Sequence, residues 1–258
     1  MRDIDITLVQ TSLHWEDKSR NLDMFSRLLG RVEGPTDLIV LPEMFNTGFS
    51  MNAAVLAEAA DGPAVRWLAD QAAALGCVIT GSIIFAAAEG HTNRLIWMRP
   101  DGTFAHYDKR HLFRMAGEHE FFAAGSRRLV AELKGWRFCP LICYDLRFPV
   151  WSRNRGDYDA LVFIANWPEP RRRAWKSLLP ARAIENQAYV IAANRIGTDG
   201  NDREYSGDSG VYDPTGKLLS RTRPYEESVE TVTLSGRELV DFRQTFQVAL
   251  DADPFEIL

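Results

Sequence analysis

The sequence predicts an α/β protein whose chargeable residues cluster at strand ends. Three observations predict it. Short, fully apolar runs such as Leu38–Leu41 and Ala160–Ala165 lack the alternation of a half-exposed sheet, so they read as strands covered by helices. Segments with helical spacing stand between such runs. The chain has 258 residues, 46% of them hydrophobic, which suits one large core. No linker rich in Pro, Gly or Ser and no short-period repeat divides it, so one domain over 1–258 is expected.

The elements follow in order. Ile4–Gln10 alternates and is β-rich, a first strand; Ser19–Leu29 places Leu22, Phe25, Leu28 and Leu29 at helical spacing. Leu38–Leu41 is the second strand. Gly62-Pro63 opens a helix over Ala64–Leu75, closed by Gly76, and Cys77–Phe85 is the next strand. Asn93–Met98 and Phe104–Tyr107, joined through Pro100-Asp-Gly102, read as a hairpin. Strands are expected over Arg137–Ile142, Ala160–Ala165, Tyr189–Asn194 and Val211–Tyr212, the last turning through Asp213–Gly216 into Lys217–Ser220. The pattern from Trp175 to Gln187 is helical but contains Pro180. A helix break there is expected, because an interior proline costs ~3 kcal/mol. Glu230–Leu234 is a last strand, and Ser235-Gly-Arg-Glu238 has the capping-box form that opens a short helix. The tail from about 246 to 258 has no period and is read as packing on a partner subunit or as a loose surface tail.

Charge and cysteine content narrow the function classes. The net charge is −5, and no basic stretch is interleaved with aromatics, which argues against nucleic acid as a partner. Arg171-Arg172-Arg173 is the one basic cluster and reads as a solvated helix start. An odd count of three cysteines argues against a disulfide framework, and no Cys/His pair is supported by a second pair, so no metal is expected. No apolar run approaches the ~20 residues that span a bilayer. The start of the chain runs into a strand without a signal-like apolar region, so a cytoplasmic protein is expected.

Cys143 ends the strand Arg137–Ile142 and is followed by a tight polar turn, Tyr144-Asp-Leu-Arg-Phe-Pro149. Glu43 ends Leu38-Ile-Val-Leu-Pro, and Lys109 ends His106-Tyr-Asp. A free thiol has a pKa of ~8.5 and needs a base to act as a nucleophile near neutrality. None of the histidines His14, His91, His106, His111 and His119 sits at a clean strand end. A carboxylate can be the base, a lysine can stabilise an oxyanion, and the backbone N–H of Tyr144, just past the thiol, can donate to the same oxygen. Cys139 and Cys77 read as buried small hydrophobes, with Cys139 and Cys143 on one face of an extended strand. A thiol protease that uses His111 is the competing enzyme reading.

These pieces resemble the carbon–nitrogen hydrolase, or nitrilase, superfamily: Leu-Pro-Glu43-Met-Phe, Tyr107-Asp-Lys109-Arg-His-Leu-Phe113 and Cys143-Tyr-Asp-Leu-Arg-Phe-Pro149, followed by Ala181-Arg-Ala-Ile-Glu-Asn-Gln187 and Gly207-Asp-Ser209. The resemblance covers essentially the whole chain. It implies an α-β-β-α sandwich that dimerises through helix faces, so a homodimer is expected. It implies a cofactor-free enzyme with Glu43 as general base, Lys109 stabilising the tetrahedral intermediate and Cys143 as nucleophile. The family's second glutamate, seven residues before a glycine, falls on Glu118 before Gly125, with Glu120 as the rival.

The finer resemblance is to the bacterial omega-amidase branch, through Cys143 to Arg153 and Ala165-Asn-Trp-Pro168. That implies hydrolysis of 2-oxoglutaramate or 2-oxosuccinamate, small amides that carry a remote carboxylate. Arg147 and Arg171 are the expected carboxylate partners, since a guanidinium grips a carboxylate in bidentate fashion, and Trp167 is the expected wall. The alternatives are another amidase, an N-carbamoyl hydrolase or a nitrilase. From another class, the alternative is a non-catalytic interaction protein on this fold.

Overall fold

The computed structural model describes residues 1–88 and 90–256. Two sheets stack face to face. The first contains β1 (Ile4–Gln10), β2 (Leu38–Val40), β3 (Val78–Ala87), β4 (Gly90–Met98), β5 (Phe104–Asp108) and, from the end of the chain, β13 (Ser228–Leu234), in the order β13-β1-β2-β3-β4-β5. The second contains β6 (Ala131–Leu133), β7 (Trp136–Ile142), β8 (Ala160–Ala165), β9 (Tyr189–Asn194) and β12 (Gly210–Tyr212), in the order β12-β9-β8-β7-β6. Between β9 and β12, a separate hairpin pairs β10 (Ile196–Thr198) with β11 (Glu204–Ser206).

Helices α1 (Lys18–Leu29), α2 (Ala53–Leu56), α3 (Pro63–Leu75), α4 (Glu118–Phe121), α5 (Pro149–Ser152), α6 (Arg172–Asn186) and α7 (Gly236–Thr245) complete the chain. Side-chain alternation sorts the first sheet's two faces. Leu38, Val40, Leu95 and Trp97 point inward to one core with Phe138, Leu141, Val162 and Ile191 of the second sheet. Ile39, Leu41, Ile96 and Met98 point outward, against Phe25 and Leu28 of α1 and Leu68 and Ala72 of α3. Trp175, Leu179 and Ala183 of α6 join the second sheet. The layers are therefore α-β-β-α, as expected.

β1, β2 and β3 are mutually parallel, as are β7, β8 and β9. In a parallel sheet the carboxyl ends of the strands gather at one edge, where ligands usually bind. Pro140 fits within β7 because β6 pairs only as far as Phe138, so the proline's missing N–H breaks no ladder on that side.

The capping expectations are met. Gly76 takes φ 64° after α3, and the Ser235 side chain accepts from the Glu238 backbone N–H. The hairpin at 93–107 is the second half of a meander: β4 begins at Gly90 and pairs back along β3 through to Met98. The break at Pro180 is not there. α6 runs through it from Arg172 to Asn186. Lys176, whose carbonyl would bond to residue 180, is exposed, so water can take that carbonyl while the buried Trp175, Leu179 and Ala183 hold the helix down. The tail beyond 246 makes one short turn, Val248–Asp251, with Phe246 and Leu250 exposed; residues 257 and 258 lie outside the described residues.

Candidate active site

Glu43, Lys109 and Cys143 stand just past the carboxyl ends of β2, β5 and β7, and the sandwich brings those ends together. The chain turns sharply at two of them. Met44, after Glu43, has φ 43°, and Cys143 has φ 44°. Both are left-handed conformations that side chains other than glycine adopt at a cost. At Cys143 this ends the strand and starts the helical turn Cys143–Arg147. The strand's alternation therefore stops before Cys143, and the expectation that it shares a face with Cys139 does not carry past the turn.

Lys109 Nζ sits between two carboxylates, 2.8 Å from Glu43 Oε1 and 2.9 and 3.0 Å from the oxygens of Glu118. All three side chains are 0% exposed. Glu118 is thus the second glutamate brought to the lysine; Glu120 is exposed. Gly125 belongs to the same lock. Its N–H donates to Lys109 O at 2.9 Å, and a Cβ on it would lie 2.1 Å from Asp108 O. No other residue lets the chain pass so close to the end of β5.

Two asparagines finish the cluster. Asn93 Nδ2 donates to Glu43 Oε1 at 2.8 Å and to Glu118 Oε1 at 3.3 Å. The Asn166 backbone N–H donates to Glu43 Oε2 at 2.8 Å, and its Nδ2 donates to Glu43 O at 2.5 Å. Sequence reasoning assigned neither. Asn93 was readable as the one uncharged amide at the head of an apolar strand, and Asn166 stood in the quoted Ala-Asn-Trp-Pro motif.

Burial alone would lower the Lys109 pKa, but Glu118 and then Glu43 outweigh it and hold the ammonium charged. Burial raises the Glu118 carboxyl, Lys109 lowers it, and Glu43 raises it again, for a net rise. Burial pushes the Cys143 thiol well above its ordinary value; Glu43 adds to this and Lys109 opposes it. The Cys143 residue itself is half-buried. Burial and Glu43 both favour the thiol of Cys143 over its thiolate. Cys139, fully buried, is pushed up to about 12, and Cys77 to about 11, by burial.

His111 is turned elsewhere. Its Nδ1 lies 2.7 Å from Asp145 Oδ1 and its ring stacks on Phe148 at 3.7 Å. Asp145 also accepts from Tyr107 Oη, the His111 N–H and the Ile142 N–H at 2.7 to 3.0 Å. It organises the turn behind Cys143. Arg182 donates twice to Leu146 O and ties that turn to α6.

A chamber opens over Cys143. Its walls are Phe49, Phe113, Tyr144, Asn166, Trp167, Pro168 and Tyr205, with Lys109, Arg147, Arg171 and Arg203. The Arg147 guanidinium lies 5.0 Å over the Trp167 ring, and Arg171 lies 4.9 Å over Phe113. Tyr144, Arg147, Trp167 and Arg171 therefore all reach one space with Cys143. Arg203 was not foreseen; it stands in the turn between β10 and β11, three-residue strands too short for a period to reveal.

The carbon–nitrogen hydrolase family model matches residues 5–244. The chain is 46% identical to the omega-amidase YafV of Escherichia coli (strain K12) over all of both chains. It is 34% identical to the 2-oxoglutaramate amidase of Bacillus subtilis (strain 168), covering 94% of this chain and 95% of that one. A carbon–nitrogen hydrolase superfamily protein from Xanthomonas campestris, solved with an arsenic adduct in its active site, superposes with a TM-score of 0.97 at 48% identity over the whole of both chains.

Proposed function

The chain belongs to the carbon–nitrogen hydrolase family, and we propose that within it the protein is an omega-amidase acting on 2-oxo dicarboxylic acid monoamides. The observation that carries the reading is the chamber. A buried Glu–Lys–Glu cluster whose lysine lines the chamber stands with a thiol, and arginines line the same chamber. The first suits amide cleavage, the second a substrate that ends in a carboxylate.

Cys143 attacks the amide carbon while Glu43 takes the thiol proton. The oxyanion that forms is met by the Lys109 ammonium and the backbone N–H of Tyr144, which opens a helical turn and so lacks a partner within it. Glu118 and Asn93 position the ammonium. Glu43 returns the proton to nitrogen, the C–N bond breaks and ammonia leaves, with the acyl group on Cys143 as a thioester. Water, deprotonated by Glu43, then attacks the thioester, and the acid and the free thiol are released. The steps use protein groups alone. Trp167 walls the chamber, and Arg147 and Arg171 face the substrate's carboxylate.

The reading includes a cytoplasmic homodimer. α5 and α6 expose Val150 and Ile184, apolar side chains suited to pairing of helix faces. No helix among the described residues is long and apolar enough to cross a membrane. Ammonia release from 2-oxoglutaramate, measured beside glutamine, asparagine, an N-carbamoyl amino acid and a simple nitrile, tests the function. The 2-oxo amide should dominate; a preference for any of the others contradicts the reading.

A further inference from the structure

Three arginines, Arg147, Arg171 and Arg203, line the chamber, and none of them forms an ion pair with a carboxylate among the described residues. The chamber wall carries four cationic side chains and no acidic one, because Glu43 and Glu118 lie behind Lys109. Glu169, Asp202 and Glu204 line only the outer vestibule, and none of them pairs with these arginines. Arg171 and Arg203 line both the chamber and the vestibule, so they stand where the two spaces join. Burial and the neighbouring charges of Arg203 and Arg147 hold the Arg171 pKa below its ordinary value, while Cys143 acts the other way. Crowded like charges without a counter-ion favour an anionic ligand.

The hairpin that carries Arg203 is built stiffly. Asp199 Oδ1 accepts from the backbone N–H groups of Asn201 at 2.8 Å and Arg203 at 3.1 Å, and Asp199 N donates to Arg203 O at 3.0 Å. Tyr205 Oη donates to Asp199 Oδ2 at 2.8 Å, and the buried Arg195 guanidinium lies 4.7 Å over the Tyr205 ring. The tip is fixed before any ligand arrives, which lowers the ordering cost of binding.

We propose that Arg203 is a specificity-determining residue: with Arg171 it clamps the carboxylate remote from the scissile amide. The inference rests on the amidase reading and adds to it the residue that selects for a charged distal end. A carboxylate offers two oxygens and four lone-pair sites, enough for two guanidiniums. Arg203 is exposed, so its replacement leaves the core intact.

The test compares wild type, Arg203→Met and Arg203→Lys on 2-oxoglutaramate and on pentanamide, a neutral amide of the same chain length. Inhibition of pentanamide hydrolysis by 2-oxoglutarate is measured in parallel. In Arg203→Met the KM for 2-oxoglutaramate should rise about tenfold or more with kcat within about threefold, the effect of losing a charge-assisted hydrogen bond in binding. The KM for pentanamide should change far less than that for 2-oxoglutaramate, 2-oxoglutarate should inhibit more weakly, and Arg203→Lys should fall between. Unchanged KM for 2-oxoglutaramate overturns the assignment, as does an equal loss on both amides. If wild type ignores 2-oxoglutaramate, the amidase reading fails, and inhibition by 2-oxoglutarate still decides the clamp: weaker inhibition in Arg203→Met keeps it, and inhibition equal in both or absent from both removes it.

Discussion

At the scale of single residues, the site depends on a thiol that its surroundings keep protonated. Because burial and the Glu43 carboxylate raise the Cys143 pKa, its thiolate fraction at pH 7 to 8 lies below that of a free thiol. Iodoacetamide should therefore label Cys143 more slowly than a free thiol near neutrality, and the rate should go on climbing with pH after that of a free thiol has levelled off. Labelling that saturates below pH 7 would mean an ion pair in the resting enzyme. Glu43→Gln keeps the shape and removes the base, so turnover should be nearly lost with the fold retained. His111→Ala should keep substantial activity, since His111 bonds to Asp145; the His111 mechanism forecasts the reverse. Lys109→Met should lower kcat by a factor of ~100–1000 with little change in KM. It also leaves two buried carboxylates without their cation, a loss of ~3–5 kcal/mol for breaking a buried pair, so melting curves must accompany the kinetics.

At the scale of elements, strand ends deliver the reacting groups, and here the sequence was most legible. Leu38–Val40, Phe138–Ile142 and Ala160–Ala165 are apolar runs with abrupt ends, and such ends in a parallel sheet converge. What one sequence hides is what a residue touches after the chain turns. Arg203 lies in the short turn between two three-residue strands, and Asn93 and Asn166 acquire their roles from contacts 25 to 123 positions away. Pro180 was misread because local cost was weighed without the packing of Trp175 and Leu179 on the second sheet. That account makes a forecast: Pro180→Ala should raise the melting temperature, because the carbonyl of Lys176 regains a partner, and should leave kcat unchanged. A lower melting temperature would show that Pro180 is needed where it is.

At the scale of the whole molecule, the last helix is tied back to the second sheet through Asp159. Its carboxylate takes Arg137 at 3.0 Å and Arg243 of α7 at 2.8 Å, at 7% side-chain exposure. Burial would raise its pKa, but the hydrogen bonds from Arg137 and Arg243 dominate and lower it. A carboxyl lowered by folding contributes stability above its unfolded pKa of ~3.9 and loses it as pH falls through the folded value. Asp159→Asn should thus be destabilised at pH 7, and its gap from wild type should narrow below about pH 4. A gap independent of pH would show that charge is not what Asp159 supplies. Light scattering in solution should give twice the mass of one chain for the proposed homodimer.

The central claim is that Cys143 carries the acyl group. Acid quench during turnover of 2-oxoglutaramate, followed by proteolysis and tandem mass spectrometry, tests it most directly. Cys139 and Cys143 share the tryptic peptide from Phe138 to Arg147, so fragment ions must separate them. The account predicts the 2-oxo acyl mass on Cys143 alone, with Cys139 unmodified, and none in Cys143→Ala. Acyl mass on another residue, or full turnover by Cys143→Ala, would contradict it.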